Sequence, residues 1–216
     1  VFGDELGRPV EPRFEFVRQL GSPLPQSERA TAESDEHPYK LRFVYSYLAL
    51  YGDPLLDPKV DPYPAGFLQR LSAVGVNGIW MHAVLRDLAP GGDTFPEFGA
   101  NHETRLANLR RLVERAGKYG IGVYLYLNEP RAMPTSFFAT RPELAGVRVG
   151  DFTAMCTSRP EVRQWMTDAI THVFREVPEL AGIYAITASE NQTNCASHGR
   201  WQSCERCKTR SDTEII

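Results

Sequence analysis

A chain of 216 residues, 42% hydrophobic and 24% charged, can bury a sizeable core, and one large domain accommodates it. Its formal net charge of -3 comes from acidic and basic residues mixed along the chain, so no basic stripe for nucleic acid and no polybasic segment for a membrane surface is present. No apolar run has the length of a membrane span and no signal peptide is visible; the latter says little about the address of a longer parent chain, which stays open with the cytoplasm slightly favoured.

Residues 1–40 are the least patterned and read as a linker or the tail of a preceding domain. Phe14, Phe16, Arg18 and Leu20 alternate loosely, as in an edge strand, and a polar Ser/Pro/Glu stretch follows. From residue 41 the pattern sharpens. LRFVYSY (41–47) is rich in aromatic and β-branched residues and predicts a strand followed by a long Asp/Pro/Gly loop. Pro64 opens a helix with Phe67, Leu68, Leu71 and Val74 on one face, and Gly75 closes it. A second strand, GIWMH (78–82), leads into a polar loop running to about Ala100.

Asn101 is the expected cap of a second helix whose Leu106, Leu109, Leu112, Val113 and Ala116 form an apolar face, and Gly120 ends it. IGVYLYL (121–127) predicts a third strand, with a long loop after it through Thr157. Ser158 and Glu161 have capping-box spacing ahead of a third helix marked by Trp165, Met166, Ala169, Ile170, Val173 and Phe174. GIYAITASEN (182–191) then reads as a fourth strand ending in a polar loop, and the last residues resemble a helix just begun. With Val1 at the other end, the expectation is a piece of a longer polypeptide.

Strands and helices thus alternate, with short helix-to-strand links and long strand-to-helix loops. That order specifies right-handed βαβ units in a parallel sheet, with functional loops at the carboxyl ends of the strands. The first strand-to-helix turn has no Gly-x-Gly fingerprint and no Walker lysine. The fold expected is therefore α/β, a (β/α)8 TIM barrel of which residues 41–216 carry about the first four βα units. The remaining half of the barrel would come from the longer parent chain.

In such a barrel the strand ends gather Tyr45 and Tyr47, His82 and Arg86, Asn128 and Glu129, and Ser189, Glu190 and Asn191 on one face. Aromatic rings stack on sugar faces, amides and guanidinium groups grip hydroxyls, and a carboxylic acid protonates a leaving glycosidic oxygen. Glu190 is the residue expected to be catalytic. Tyr45, Tyr47, His82, Arg86, Asn128, Glu129 and Asn191 are the expected substrate contacts. A second carboxylate of the kind most glycosidases use is not evident at a strand end; Asp53 and Asp87 lie in loops.

GVNGIWMH, KYGIGVYLYLNEP, and SRPEV with its helix leading to GIYAITASEN resemble the amino-terminal half of the (β/α)8 catalytic domain of bacterial glycoside hydrolases. The resemblance is to the group around family 20 β-N-acetylhexosaminidases and family 67 α-glucuronidases, over about residues 41–194. It implies a general acid at Glu190. In family 20 an Asp precedes that Glu and orients the substrate acetamide; Ser189 stands there instead, which argues against an N-acetyl substrate. Asn128-Glu129-Pro130 also resembles the acid/base motif of a large retaining clan, where it ends the fourth strand; here it ends the third.

Cys195, His198, Cys204 and Cys207 give C-x2-H-x5-C-x2-C, a spacing able to close around a tetrahedral structural zinc, with a disulfide between any two of the cysteines as the alternative. Cys156 is expected to pack alone as a small buried residue. The reading is a glycoside hydrolase acting on a carbohydrate substrate, needing no cofactor for catalysis. A non-catalytic carbohydrate-binding barrel domain is the alternative. A metal-dependent hydrolase using His82 and Glu190 is weaker, since no His-x-His ends the first strand.

Overall fold

The computed structural model describes residues 22, 38–49, 52–57, 59–187 and 191–216; Tyr47 is described in its backbone only. The expected edge strand near Phe14 and most of the expected linker lie outside the described residues, as do Ser189 and Glu190.

Four strands, β1 (Phe43–Val44), β2 (Gly78–Ala83), β3 (Gly122–Leu127) and the later Gly182–Ala185, form one sheet in chain order, and every pairing is parallel. Between β1 and β2 lies α1 (Ala65–Ala73). The short α2 (Leu85–Leu88) and α3 (His102–Gly117) join β2 to β3. After β3 come β4 (Met133–Pro134), β5 (Ala145–Val149), β6 (Phe152–Met155) and α4 (Pro160–Glu176), so that Gly182–Ala185 is β7; α5 (Asp212–Ile215) is the last element.

The helix-to-strand links are short because α1 and α3 both end in the same glycine motif. Gly75 (φ 83°) and Gly120 (φ 70°) take the left-handed conformation. The next residue in each case reaches back five positions, Val76 N–H to Leu71 C=O (3.0 Å) and Ile121 N–H to Ala116 C=O (3.2 Å). Each reversal aims the chain straight into a strand. Asn77 then ties the strand starts together, accepting from Arg42 N–H on its side-chain oxygen (2.7 Å) and from Gly122 N–H on its carbonyl (2.9 Å).

One face of the sheet, carrying Ile79, Met81, Val123, Leu125 and Leu127, packs under the helices against Leu68, Leu106, Leu109, Leu112, Val113, Trp165, Ala169 and Val173. Apolar residues on alternate strand positions and at i, i+3, i+4 spacing on the helices give this one contiguous core. The fold is mixed α/β with a parallel sheet. Among the described residues it does not close into a barrel: β1 and β7 are the two edges of a four-stranded sheet, where a (β/α)8 barrel closes with eight.

Several local expectations are corrected. The strand expected over residues 41–47 is paired only at Phe43–Val44, because the Tyr63 hydroxyl takes the Ser46 N–H (3.1 Å) and the chain coils into a 3-10 turn at Tyr47–Ala49. The loop after β2 contains α2, whose Leu85 and Leu88 are buried. That after β3 folds into a small antiparallel sheet of order β4-β6-β5. Asn101 sits in the left-handed region at the start of α3 and makes no side-chain cap. Ser158 does not cap α4 either: its hydroxyl accepts from the Arg210 guanidinium (2.7 Å), and Arg159 occupies the cap position. A capping box is instead present at Ser211 and Glu214, at the start of α5.

Replacing Gly75 or Gly120 by Ala should each lower stability by about 1 kcal/mol, the cost of a left-handed Cβ. Gly117→Ala, at the end of α3 with open space around its Cα, should raise it by up to about 1 kcal/mol. Urea denaturation midpoints check all three.

Candidate active site

The sheet face away from the helices is built from the other parity of each strand. Parallel register pairs Trp80 with Tyr124, His82 with Tyr126, and Tyr126 with Tyr184. The rings form a ladder across the strands: Tyr45 stacks on Trp80 (4.5 Å between centroids), Trp80 on Tyr126 (4.7 Å), and Tyr126 lies 5.6 Å from Tyr184. Parallel sheets are normally covered on both faces. Here Tyr45 is 40% and Tyr184 46% exposed, while Trp80 between them is 8% exposed. An aromatic shelf therefore leads towards the carboxyl ends of the strands.

At that end stands a cluster of ionisable groups. His82, at the end of β2, lies 5.9 Å from the Tyr126 ring, and its Nε2 meets the Arg131 guanidinium at 2.8 Å. A guanidinium only donates, so Nε2 accepts and the neutral imidazole carries its proton on Nδ1. Burial first, and the Arg131 charge second, hold the His82 pKa below its ordinary value, in keeping with that state.

Glu129 follows β3 by two residues, half-buried, with a cis peptide bond to Pro130. Its carboxylate accepts from the Leu85 N–H (2.8 Å) on one oxygen and the Arg131 N–H (3.0 Å) on the other, so it joins the start of α2 to the loop after β3. Burial pushes its pKa up to about 7, against the opposing pull of those two N–H groups and of the Arg131 and Arg86 charges. A carboxyl group that titrates near neutrality can hold or release a proton under physiological conditions.

Beyond Arg131 a cleft of about 310 Å³ is lined by Arg131, Ala132, Val149, Phe152, Asn191, Gln192 and His198. Its two walls are joined by a hydrogen bond from Ala132 N–H to Gln192 C=O (3.0 Å) and another from the Gln192 amide to Val147 C=O (2.6 Å). Thr193 Oγ1 and Asn194 Nδ2 both donate to Thr187 C=O, which anchors the loop after β7 beneath the cleft. Phe152 is 52% exposed, an apolar surface at the rim.

The residues singled out in the sequence are therefore distributed as follows. Tyr45, His82 and Glu129 share the strand-end surface, and Asn191 lies in the adjoining cleft. Asn128 is fully buried and faces no open space. Arg86, on α2, directs its guanidinium to the Met133 sulfur (3.1 Å). Glu190 and the Tyr47 side chain lie outside the described residues. Asp53 is engaged in an ion pair with Arg105 (2.6 Å), beside a smaller cavity that His82 and Asp87 also line.

Of the expected metal ligands, Cys195, Cys204 and Cys207 come together, but His198 is exposed in the cleft, and the fourth member of the group is Cys156, which does not pack alone. Arg131 and the Trp80–Tyr126–Tyr184 ladder were not singled out in the sequence. The ladder was nevertheless signalled there by rings two residues apart, at 80 and 82 and again at 124 and 126.

No protein-family model and no curated relative matches the sequence. Among solved structures, the chain is similar to a noncanonic maltogenic α-amylase of Thermotoga neapolitana, with 15% identity, 69% of this chain and 39% of that one covered, and a TM-score of 0.45. It is similar also to a β-N-acetylhexosaminidase of Bacteroides fragilis (17% identity, 68% and 31% covered, TM-score 0.40). A chitobiase of Flavobacterium johnsoniae matches at 14% identity, with 82% and 28% covered and a TM-score of 0.45. The chain spans less than two-fifths of the length of each.

The raised pKa of Glu129 carries a sign. Between an unfolded value near 4.5 and a folded value of about 7 the native state holds more protons than the unfolded one, so this group's contribution to stability falls as pH rises through that window and is constant above it. Glu129→Gln, which mimics the protonated acid but does not titrate, should cost most near pH 5 and least at pH 7 and above, and its melting temperature should decline less than that of the wild type between pH 5 and 7. Thermal melts of the two proteins across that range measure the difference directly.

Proposed function

We propose that this chain is part of the catalytic domain of a glycoside hydrolase, bearing the first strands of a barrel whose remaining strands cover the aromatic face. The observation that carries the reading is the aromatic shelf of Tyr45, Trp80, Tyr126 and Tyr184 running into a strand-end cluster of His82, Glu129 and Arg131. Flat rings offer the C–H faces of a sugar an apolar surface, while guanidinium, imidazole and amide groups at its edge match ring hydroxyls. The first strand-to-helix turn has no Gly-x-Gly fingerprint and no Walker lysine of the kind that cradles phosphates.

In this proposal Glu190 is the general acid. It directly precedes Asn191, which lines the cleft beside Arg131 and His198. The amino-terminal halves of family 20 barrels, which the sequence resembles, place their acid at the matching point. Arg131, whose N–H also holds Glu129, is the positioning group between the cleft and the shelf. With Ser189 in place of the family's Asp, a hexose or uronide without an N-acetyl group is the preferred substrate class.

A second assignment is favoured by one observation. Glu129 follows the end of β3 and is held at the Arg131 N–H, and burial pushes its pKa up to about 7, which makes it an alternative proton donor. Two variants separate these. Assayed in the complete polypeptide against aryl hexosides, hexosaminides and uronides, Glu190→Gln should lower kcat by at least about 100-fold, the contribution typical of general acid catalysis. Glu129→Gln should raise KM and leave kcat within about tenfold. The reverse pattern would transfer the acid role to Glu129, full activity in both variants would remove that role from both residues, and no turnover of any of these substrates by the wild type would remove the glycosidase assignment.

A further inference from the structure

The four cysteines of the chain, drawn from three separate stretches, meet at one point behind the cleft. Cys156 follows β6, Cys195 lies in the loop after β7, and Cys204 and Cys207 sit in a tight turn closed by Cys207 N–H to Cys204 C=O (2.9 Å). All four sulfurs lie within 4.8 Å of one another, none is in a disulfide, and all four residues are buried. The Cys156 sulfur is 3.8 Å from that of Cys204 and 3.7 Å from that of Cys207. A zinc ion with four thiolates at 2.3 Å has sulfur–sulfur edges of about 3.8 Å.

We propose that Cys156, Cys195, Cys204 and Cys207 bind one zinc ion as a closed four-thiolate site that fastens the loop after β7 to the β5–β6 hairpin. This goes beyond the glycosidase reading and does not depend on it. The four thiols release four protons to solvent as they bind the dication, leaving the site with a charge of -2. Groups around the sulfurs suit that charge. Arg206 Nε donates to the Cys156 sulfur (3.5 Å), and its Nη2 donates to the Ala145 carbonyl. Ser158, which accepts from Arg210 (2.7 Å), turns its hydroxyl to the Cys207 sulfur (3.3 Å).

The backbone is shaped for the cluster as well. At Gly146 a Cβ would come within 2.5 Å of the Cys195 sulfur, so only glycine lets β5 pass this close. Around Cys195 the buried polar residues are satisfied among themselves: Ser197 Oγ accepts from the Thr193 and Asn194 N–H groups (both 3.0 Å), and Asn194 Oδ1 from the Ala196 N–H (2.8 Å). A site with four protein ligands keeps no open position for water, so the role is structural. Zinc is the ion proposed because a closed, tetrahedral four-cysteine set is the ordinary form of a structural zinc site, and metal analysis separates it from iron, which accepts the same ligands.

The test is elemental analysis of the protein purified without chelators, with thiol titration before and after chelation. The expected result is one zinc per chain, four thiols unreactive in the native protein, and all four reactive once zinc is removed. Cys156→Ser should retain less than a tenth of the zinc, whereas His198→Ala should retain all of it. Because Cys156→Ser risks misfolding, Gly146→Val is the second variant, expected to bind zinc at least tenfold more weakly by competition with a chromophoric chelator while keeping its four cysteines. Metal-free protein with four reactive thiols, a disulfide, stoichiometric iron, or zinc lost on His198→Ala would each overturn the assignment.

Discussion

The parallel register of β2, β3 and β7 is the constraint on which the rest depends. Side chains alternate with period two along a strand, and parallel pairing keeps equal positions level across the sheet. One parity therefore has to be aliphatic, because α1, α3 and α4 cover it, and the other is free to be aromatic. Gly78, opposite Gly122, shows how tightly this is fixed: a Cβ there would come within 2.9 Å of the Leu41 and Phe43 side chains. A slip of one residue would drive Trp80, His82 and Tyr126 into the helix-facing core and bring Ile79, Met81 and Leu125 out of it, which no local adjustment could repair.

From this register follows a division of labour between strands and loops. The strands position His82 and the aromatic shelf through backbone pairing and ring stacking. The cleft depends instead on contacts between loops, the Ala132–Gln192 and Gln192–Val147 hydrogen bonds. Glu129 belongs to both systems. It sits just past the end of β3, yet both its oxygens are spent on N–H groups of neighbouring loops. A carboxylate in that position couples the start of α2 to Arg131, so its protonation state bears on the geometry of the strand-end surface as well as on its charge.

How much of this could be read from the sequence depended on the range of the contacts involved. The strands and the longer helices were legible because each is specified by nearby residues: apolar spacing, and the glycines at 75 and 120 that end α1 and α3 in the same way. The S-x-x-E pattern was not decisive. It occurs at residues 158–161 and again at 211–214, but Ser158 is taken by Arg210, 52 residues away, and only Ser211 forms the box. The β4-β6-β5 sheet was hidden for a similar reason, its strands being short and supported by packing on the cysteine loop. Cys156 is the clearest case. Its partners lie 39 to 51 residues further on, so no spacing rule pairs it with them, and His198, closer in sequence and expected as the fourth member, stands exposed outside the sulfur group.

The position of the sulfur cluster also has a reason in the distribution of the core. The main core is continuous from α1 to α4 and buries residues of every helix-facing strand. The second consists of Val147, Cys156, Cys195, Ala196, Cys204, Cys207 and Ile215, too few apolar groups to offset the entropy of ordering the irregular segments around them. Small cores of this kind are held by cross-links, whose effect is to restrict the unfolded chain as well as to hold the folded one. With zinc bound as proposed, three segments would be joined at one point, leaving the cysteine loop little freedom relative to β5 and β6, and the cleft walls that carry Arg131 and Asn191 adjoin that same hairpin and loop. The proposed site would thus order the cleft from behind, through a second core that the four-stranded sheet does not reach.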